Sequence, residues 1–113
     1  MTDMSKREDL LARRQRLQTT LPPVEEILRG SFFVRSRRCG RPQCHCARDS
    51  GHRTALVGVT YADGSTEQIV VPASLERLAR TWVGNYQNWW KTIERISTIN
   101  RELLRRRLVG PTE

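Results

Sequence analysis

The chain has 113 residues, enough for one hydrophobic core but few for two, and with 37% hydrophobic and 28% charged residues it cannot be wholly disordered. Its formal charge is +8, and eighteen of its twenty cations are arginine, Lys6 and Lys91 being the exceptions. Arginine presents a planar fork of donors that suits phosphate, so the excess points to a polyanionic partner.

No apolar run is long enough to cross a membrane, and the first residues, Met1-Thr2-Asp3-Met4-Ser5-Lys6-Arg7, lead into a charged stretch without an apolar signal core. The expected location is the cytoplasm, with no membrane partner. In that reducing compartment, three cysteines clustered within eight positions read as metal ligands before disulfides.

In chain order, residues 4–19 predict a charged helix with Leu10, Leu11, Leu17 and Leu21 on one side. Pro22 and Pro23 end it, and residues 22–29 predict a short second helix that has Val24, Ile27 and Leu28 on one face and stops at Gly30. Residues 31–38 predict a strand with Phe32 and Val34 toward the core. Phe33, Arg35 and Arg37 then lie on an opposite, basic face. After the cysteine segment, Ala55, Val57, Val59 and Tyr61 alternate as a second strand, Asp63-Gly64 supplies a tight hairpin turn, and residues 66–71 return as a third.

Pro72 opens the last helix, whose stripe is Leu75, Leu78, Trp82, Tyr86, Trp89, Ile93, Ile96, Asn100 and Leu103. Continued to Gly110-Pro111 it would run over residues 73–109, about 55 Å at 1.5 Å per residue. A compact chain of this size spans only about 35 Å. Either the helix breaks near Gly84 or its distal half packs on something else. The favoured arrangement is a partner helix, most simply in a homodimer with Trp89, Ile93, Ile96, Asn100 and Leu103 at the interface and Asn100 fixing register as in a coiled coil. The alternative is a hairpin back onto residues 4–20. Trp82, Tyr86 and Trp89 read as core or interface anchors, whereas Trp90 falls off the stripe and, if exposed, marks a partner surface or a second stacking platform.

The expected fold is therefore α+β: N-terminal helices over 1–30, a three-stranded antiparallel sheet with a zinc knuckle over 31–72, and a long C-terminal helix over 73–109. The three segments make one structural unit.

The chemistry concentrates in Cys39-Gly40-Arg41-Pro42-Gln43-Cys44-His45-Cys46, followed by His52. Thiolate sulfur and imidazole nitrogen, four in number on a turn-rich loop, are what Zn2+ prefers, and Gly40 and Pro42 let the chain fold back. His45, between two close cysteines, points away most easily, so Cys39, Cys44, Cys46 and His52 form the expected set. His45 and Asp49 are alternative fourth ligands. The spacing matches no common zinc finger, and the competing readings are buried thiols or a redox switch.

Four protein ligands leave a metal no open position, and no nucleophile and base pair accompanies them, so the protein is expected not to be an enzyme. Residues 31–53 carry six arginines against one acid. Arg35, Arg37, Arg38, Arg41, Arg48 and Arg53 form the expected phosphate-binding patch, with Phe33 available to stack on a base. The expected function is nucleic-acid binding, to DNA before RNA. The rival is a protein-interaction adaptor whose long helix binds a larger partner.

Arg29 to Ser31, Arg37 to Ala47, His52, Val71-Pro72, Asn85-Tyr86 and Asn100 to Leu104 together resemble an uncharacterised family of short bacterial and archaeal proteins, a domain of unknown function. The resemblance spans residues 27–107, and its knuckle has the form Arg-Arg-Cys-Gly-Lys/Arg-Pro-x-Cys-x-Cys-Ala. It implies that the three cysteines and His52 act together and supplies no activity. Where that family continues the histidine with Gly-Pro-Tyr, this chain has Arg53-Thr54-Ala55.

Overall fold

The structure, a computed structural model, describes residues 2–38, 40–44 and 51–108. Helix α1 spans Thr2–Thr19, strands β1, β2 and β3 span Ser31–Arg37, His52–Thr60 and Thr66–Val71, and helix α2 spans Glu76–Arg105. The fold class is α+β, with one antiparallel sheet in the order β1-β2-β3. Among the described residues no helix is long and apolar enough to cross a membrane.

The chain divides into two compact units, Met1–Glu26 with Asn85–Glu113 and Ile27–Gly84. α2 contributes to both and is unbroken across Gly84. It begins after a 3-10 turn at Ala73–Leu75, so the helix is 30 residues long and starts later than Pro72 predicts.

In the sheet unit, β1 pairs with β2 in a register that sets Arg37 opposite His52, Arg35 opposite Thr54 and Phe33 opposite Leu56. Directly opposed residues share a face. One face carries Phe32, Ala55, Val57, Val59 and Val71 and packs with Ala79 of α2 and Leu28. Val34, expected in this core, is exposed on its edge strand. Leu75 and Leu78 are exposed as well, and burial falls instead on Ala79 and Val83. The small side chain of Ala79 lets the helix come close to the strands. On the other face Leu56 is only 2% exposed. Phe33 lies across Gly58 there: a Cβ on that glycine would stand 3.2 Å from the Phe33 ring.

The predicted helix over 22–29 reduces to a 3-10 turn at Val24–Glu26. The reason is visible at Leu28, whose amide donates to the Trp82 carbonyl at 3.0 Å instead of to a carbonyl four residues earlier. β2 starts earlier than its alternating pattern suggests and stops before Tyr61. The hairpin loop is also longer than a two-residue turn: Gly64 N–H donates to Tyr61 C=O at 2.9 Å, and of the two expected turn residues Gly64 alone has positive φ, 89°. Asp63 Oδ1 accepts from the Ser65 amide at 2.9 Å and from its hydroxyl at 2.6 Å.

In the helical unit, α1 packs along the distal half of α2, so the intrachain hairpin is what covers this stretch. Leu10, Ile99 and Leu103 are buried together, with Leu11, Leu17 and Leu108 against them. The Trp89 indole N–H donates to Pro22 C=O at 2.9 Å, and the Asn85 amide donates to Glu26 C=O at 2.9 Å. α2 ends with Arg107 in the left-handed region at φ 56°. Leu108 N–H then donates to Leu103 C=O at 2.9 Å and Arg107 N–H to Leu104 C=O at 3.0 Å. These are the two bonds of a Schellman motif, and the packing of Leu108 near Leu103 is the apolar contact that accompanies it. Arg7 Nε donates to the Leu108 carbonyl at 2.9 Å and ties α1 to that terminus. The expected stop at Gly110-Pro111 lies outside the described residues.

Candidate metal centre and nucleic-acid interface

Two of the four expected zinc ligands lie within the described residues, and they meet. Cys44 Sγ stands 3.3 Å from His52 Nε2. Cys44 closes a turn in which its amide donates to Arg41 C=O at 3.1 Å, and His52 opens β2 opposite the last residue of β1. Two ligands at zinc distances of about 2.3 Å for sulfur and about 2.0 Å for nitrogen, held at a tetrahedral angle, stand about 3.5 Å apart. The pair thus fits a shared metal, and the atoms that face each other are those that would bind it. Cys39, Cys46, His45 and Asp49 lie outside the described residues, and among the described residues no group of three metal-binding side chains occurs.

The loop is shaped at both ends by glycine in the left-handed region, Gly40 at φ 84° and Gly51 at φ 99°. Gly51 is the more constrained. A Cβ there would lie 2.5 Å from the Arg37 carbonyl carbon and 2.7 Å from the Arg38 nitrogen, so only glycine lets the loop return this close to the end of β1. Sequence reasoning credits the fold-back to Gly40 and Pro42 and misses Gly51, whose place immediately before His52 is the available signal.

Arg35, Arg37, Arg38, His52 and Thr54 line one concavity. Alternation along β1 aims Arg35 and Arg37 to the face shared with His52 and Thr54, as their spacing predicts. Neither Arg35 nor Arg37 has an ion-pair partner among the described residues. Arg41 lines the adjoining pocket with Pro42, Gln43, Cys44 and His52. His52 therefore belongs to both the thiol side and the arginine side of the site. Phe33 is on the basic face but half-buried against Gly58.

Arg53 does not join the patch. One residue beyond His52, it falls on the opposite face and grips Glu76 with two bonds, Nη1 to Oε2 at 2.7 Å and Nη2 to Oε1 at 2.9 Å. The hydrogen bond and charge of Arg53 hold the Glu76 carboxyl below the usual carboxylate range, and Glu76 in turn raises the Arg53 guanidinium further. Arg48 lies outside the described residues.

The residues expected at a dimer interface separate. Leu103 is 0% exposed beneath α1, Trp89 is held by Pro22, and Asn100 Oδ1 accepts from Arg14 at 2.7 Å. Ile93 remains 47% exposed and Ile96 half-buried, and both line a shallow groove with Leu104. Trp90, off the predicted stripe, is 55% exposed.

No curated protein and no solved structure matches the chain. A family model does, over residues 7–80, a span that takes in α1 from Arg7 on, all three strands and the first turn of α2 but ends well short of the 27–107 range of the resemblance. With well over half of its length matched, the chain belongs to the family described as Domain of unknown function (DUF6788).

Proposed function

We propose that this is a nucleic-acid-binding accessory protein of the cytoplasm, DNA being its target before RNA, in which a structural zinc ion steadies the loop beside a basic sheet face. Cys39, Cys44, Cys46 and His52 would hold the metal. Arg35, Arg37, Arg38 and Arg41 would bind phosphates, with Arg48 on the loop itself. The segment from Arg37 to Ala47 is read as the family's shared motif across bacterial and archaeal members. The role is binding, not catalysis, because a full set of four protein ligands leaves a zinc ion no position for substrate.

The observation that carries this reading is the double membership of His52. Its Nε2 faces Cys44 Sγ at 3.3 Å, and its residue also lines the concavity with Arg35 and Arg37. A metal held there would fix the edge of the arginine cluster. Arginines that neutralise phosphates release counterions, so binding to generic duplex DNA should weaken steeply with salt. Replacing Arg35 and Arg37 by alanine should lower the salt slope by about 2, roughly one for each phosphate no longer neutralised. An unchanged slope would remove the sheet face from the reading.

A second reading, a protein-interaction adaptor, is favoured by the exposure of Trp90, Ile93 and Leu104 on α2. Apolar side chains in a row on a helix mark partner surfaces, whether of a second copy or of a larger protein. Association abolished by Ile93→Asp with Ile96→Asp, yet indifferent to the sheet arginines, would favour it.

A further inference from the structure

The helical unit contains a second basic cleft, built from residues other than those of the sheet face. It lies between α1 and the distal half of α2, has a volume of about 500 Å³, and is lined by Arg13, Arg16, Leu17, Thr20, Arg95, Thr98 and Ile99. We propose that it binds a nucleoside polyphosphate, with the three guanidinium groups on the phosphates and Leu17 and Ile99 beneath the base.

Three observations converge. First, no acid lines the cleft, although α1 and α2 carry several. Second, the arginines of this unit divide by whether they are engaged. Arg7 donates to Leu108 C=O, Arg14 to Asn100, Arg101 to Ser97 and Thr98, and Arg105 and Arg106 to Glu102. Arg13, Arg16, Arg95 and Arg107 have neither an ion pair nor a side-chain hydrogen bond among the described residues, and the first three line the cleft while Arg107 closes the end of α2. Like charges gathered from two helices without a counter-ion repel one another, and an oligophosphate relieves that repulsion while matching the planar donors.

Third, the floor is apolar. Ile99 is buried and Leu17 half-buried in the same cluster, so the cleft offers hydrocarbon surface beside its charged side chains. Its size is within the range of about 300 to 1,000 Å³ typical of small-molecule sites. A bare phosphate would leave that floor uncovered, whereas a nucleotide uses both parts.

Calorimetric titration of the full chain with adenosine triphosphate at fixed salt tests the assignment, with adenosine as the uncharged control. The expected result is saturable binding of one nucleotide per chain, at least tenfold weaker in Arg13→Gln/Arg95→Gln and in Arg16→Gln, unchanged in Arg35→Gln/Arg37→Gln, and absent for adenosine. These arginines are exposed, so the variants should keep the helical circular dichroism of the parent. Binding unaffected by the cleft substitutions would overturn the proposal. So would an equal loss on the sheet face, since that would reduce the effect to net charge.

Discussion

Cys44 Sγ and His52 Nε2 approach to 3.3 Å across a loop whose ends are fixed by glycine at both sides. Zinc takes a thiolate and an imidazole nitrogen as donors, so the metal should depend on both side chains. His52→Cys keeps a zinc-competent donor and should retain one metal per chain, whereas His52→Ala and Cys44→Ser should lose it. Native mass spectrometry of protein purified without chelator reads all three, and metal-free parent protein that is fully folded would sink the zinc assignment.

Gly51 and Gly84 should respond oppositely to alanine. At Gly51 the new Cβ meets the Arg37 backbone at 2.5 Å in a left-handed conformation, and the loss should reach about 2 kcal/mol or more. At Gly84 nothing lies within 4 Å of the added carbon in a helix interior, so Gly84→Ala should stabilise by about 1 kcal/mol. Chemical denaturation of the two variants measures both.

Glu76 makes folding stability depend on pH. Its carboxyl is held low by Arg53, so its contribution is present above the unfolded value and is lost as pH falls through the folded one. Glu76→Gln should therefore lower stability near neutrality and flatten the acid limb of the stability curve. Parallel acid limbs in parent and variant would refute the linkage.

Arg107 is a non-glycine residue with φ 56°, where a Cβ is crowded by the following carbonyl. Arg107→Gly should gain about 1 kcal/mol, because the Schellman bonds of Leu108 and residue 107 stay in place while the crowding goes. A thermal melt shifted downward would mean that the arginine side chain does something here beyond closing the helix.

Leu103 and Ile93 share the predicted stripe, yet only Leu103 is covered by its own chain. Leu103→Ala should cost about 2 to 5 kcal/mol by opening a cavity under α1. Ile93→Asp should change stability by less than about 0.5 kcal/mol while weakening any association through the exposed face. Denaturant midpoints together with sedimentation separate the two roles.

The strands, the basic face of β1 and the meeting of Cys44 with His52 were legible because they follow from period-two alternation and ligand chemistry, both local properties. What escaped was decided by distant partners. Leu28 forsakes a helix for the Trp82 carbonyl, and Arg53 leaves the expected arginine patch because Glu76, 23 residues on, meets it on the other face. The stripe on α2 misplaced Leu75 and Leu78 for a different reason: apolarity alone selected large side chains, where close packing selected Ala79. Arg13, Arg16 and Arg95 were visible as charges, but their lack of partners among the described residues is a property of the folded unit.

The shared family segment stops at residue 80, whereas the cover over Leu10 comes from Ile99 and Leu103. A chain cut at the limit of the match would keep α1 and strip the apolar lid from its inner side. The matched stretch and the folded helical unit thus have different limits, and in this chain the shelter of the first helix depends on residues beyond the match.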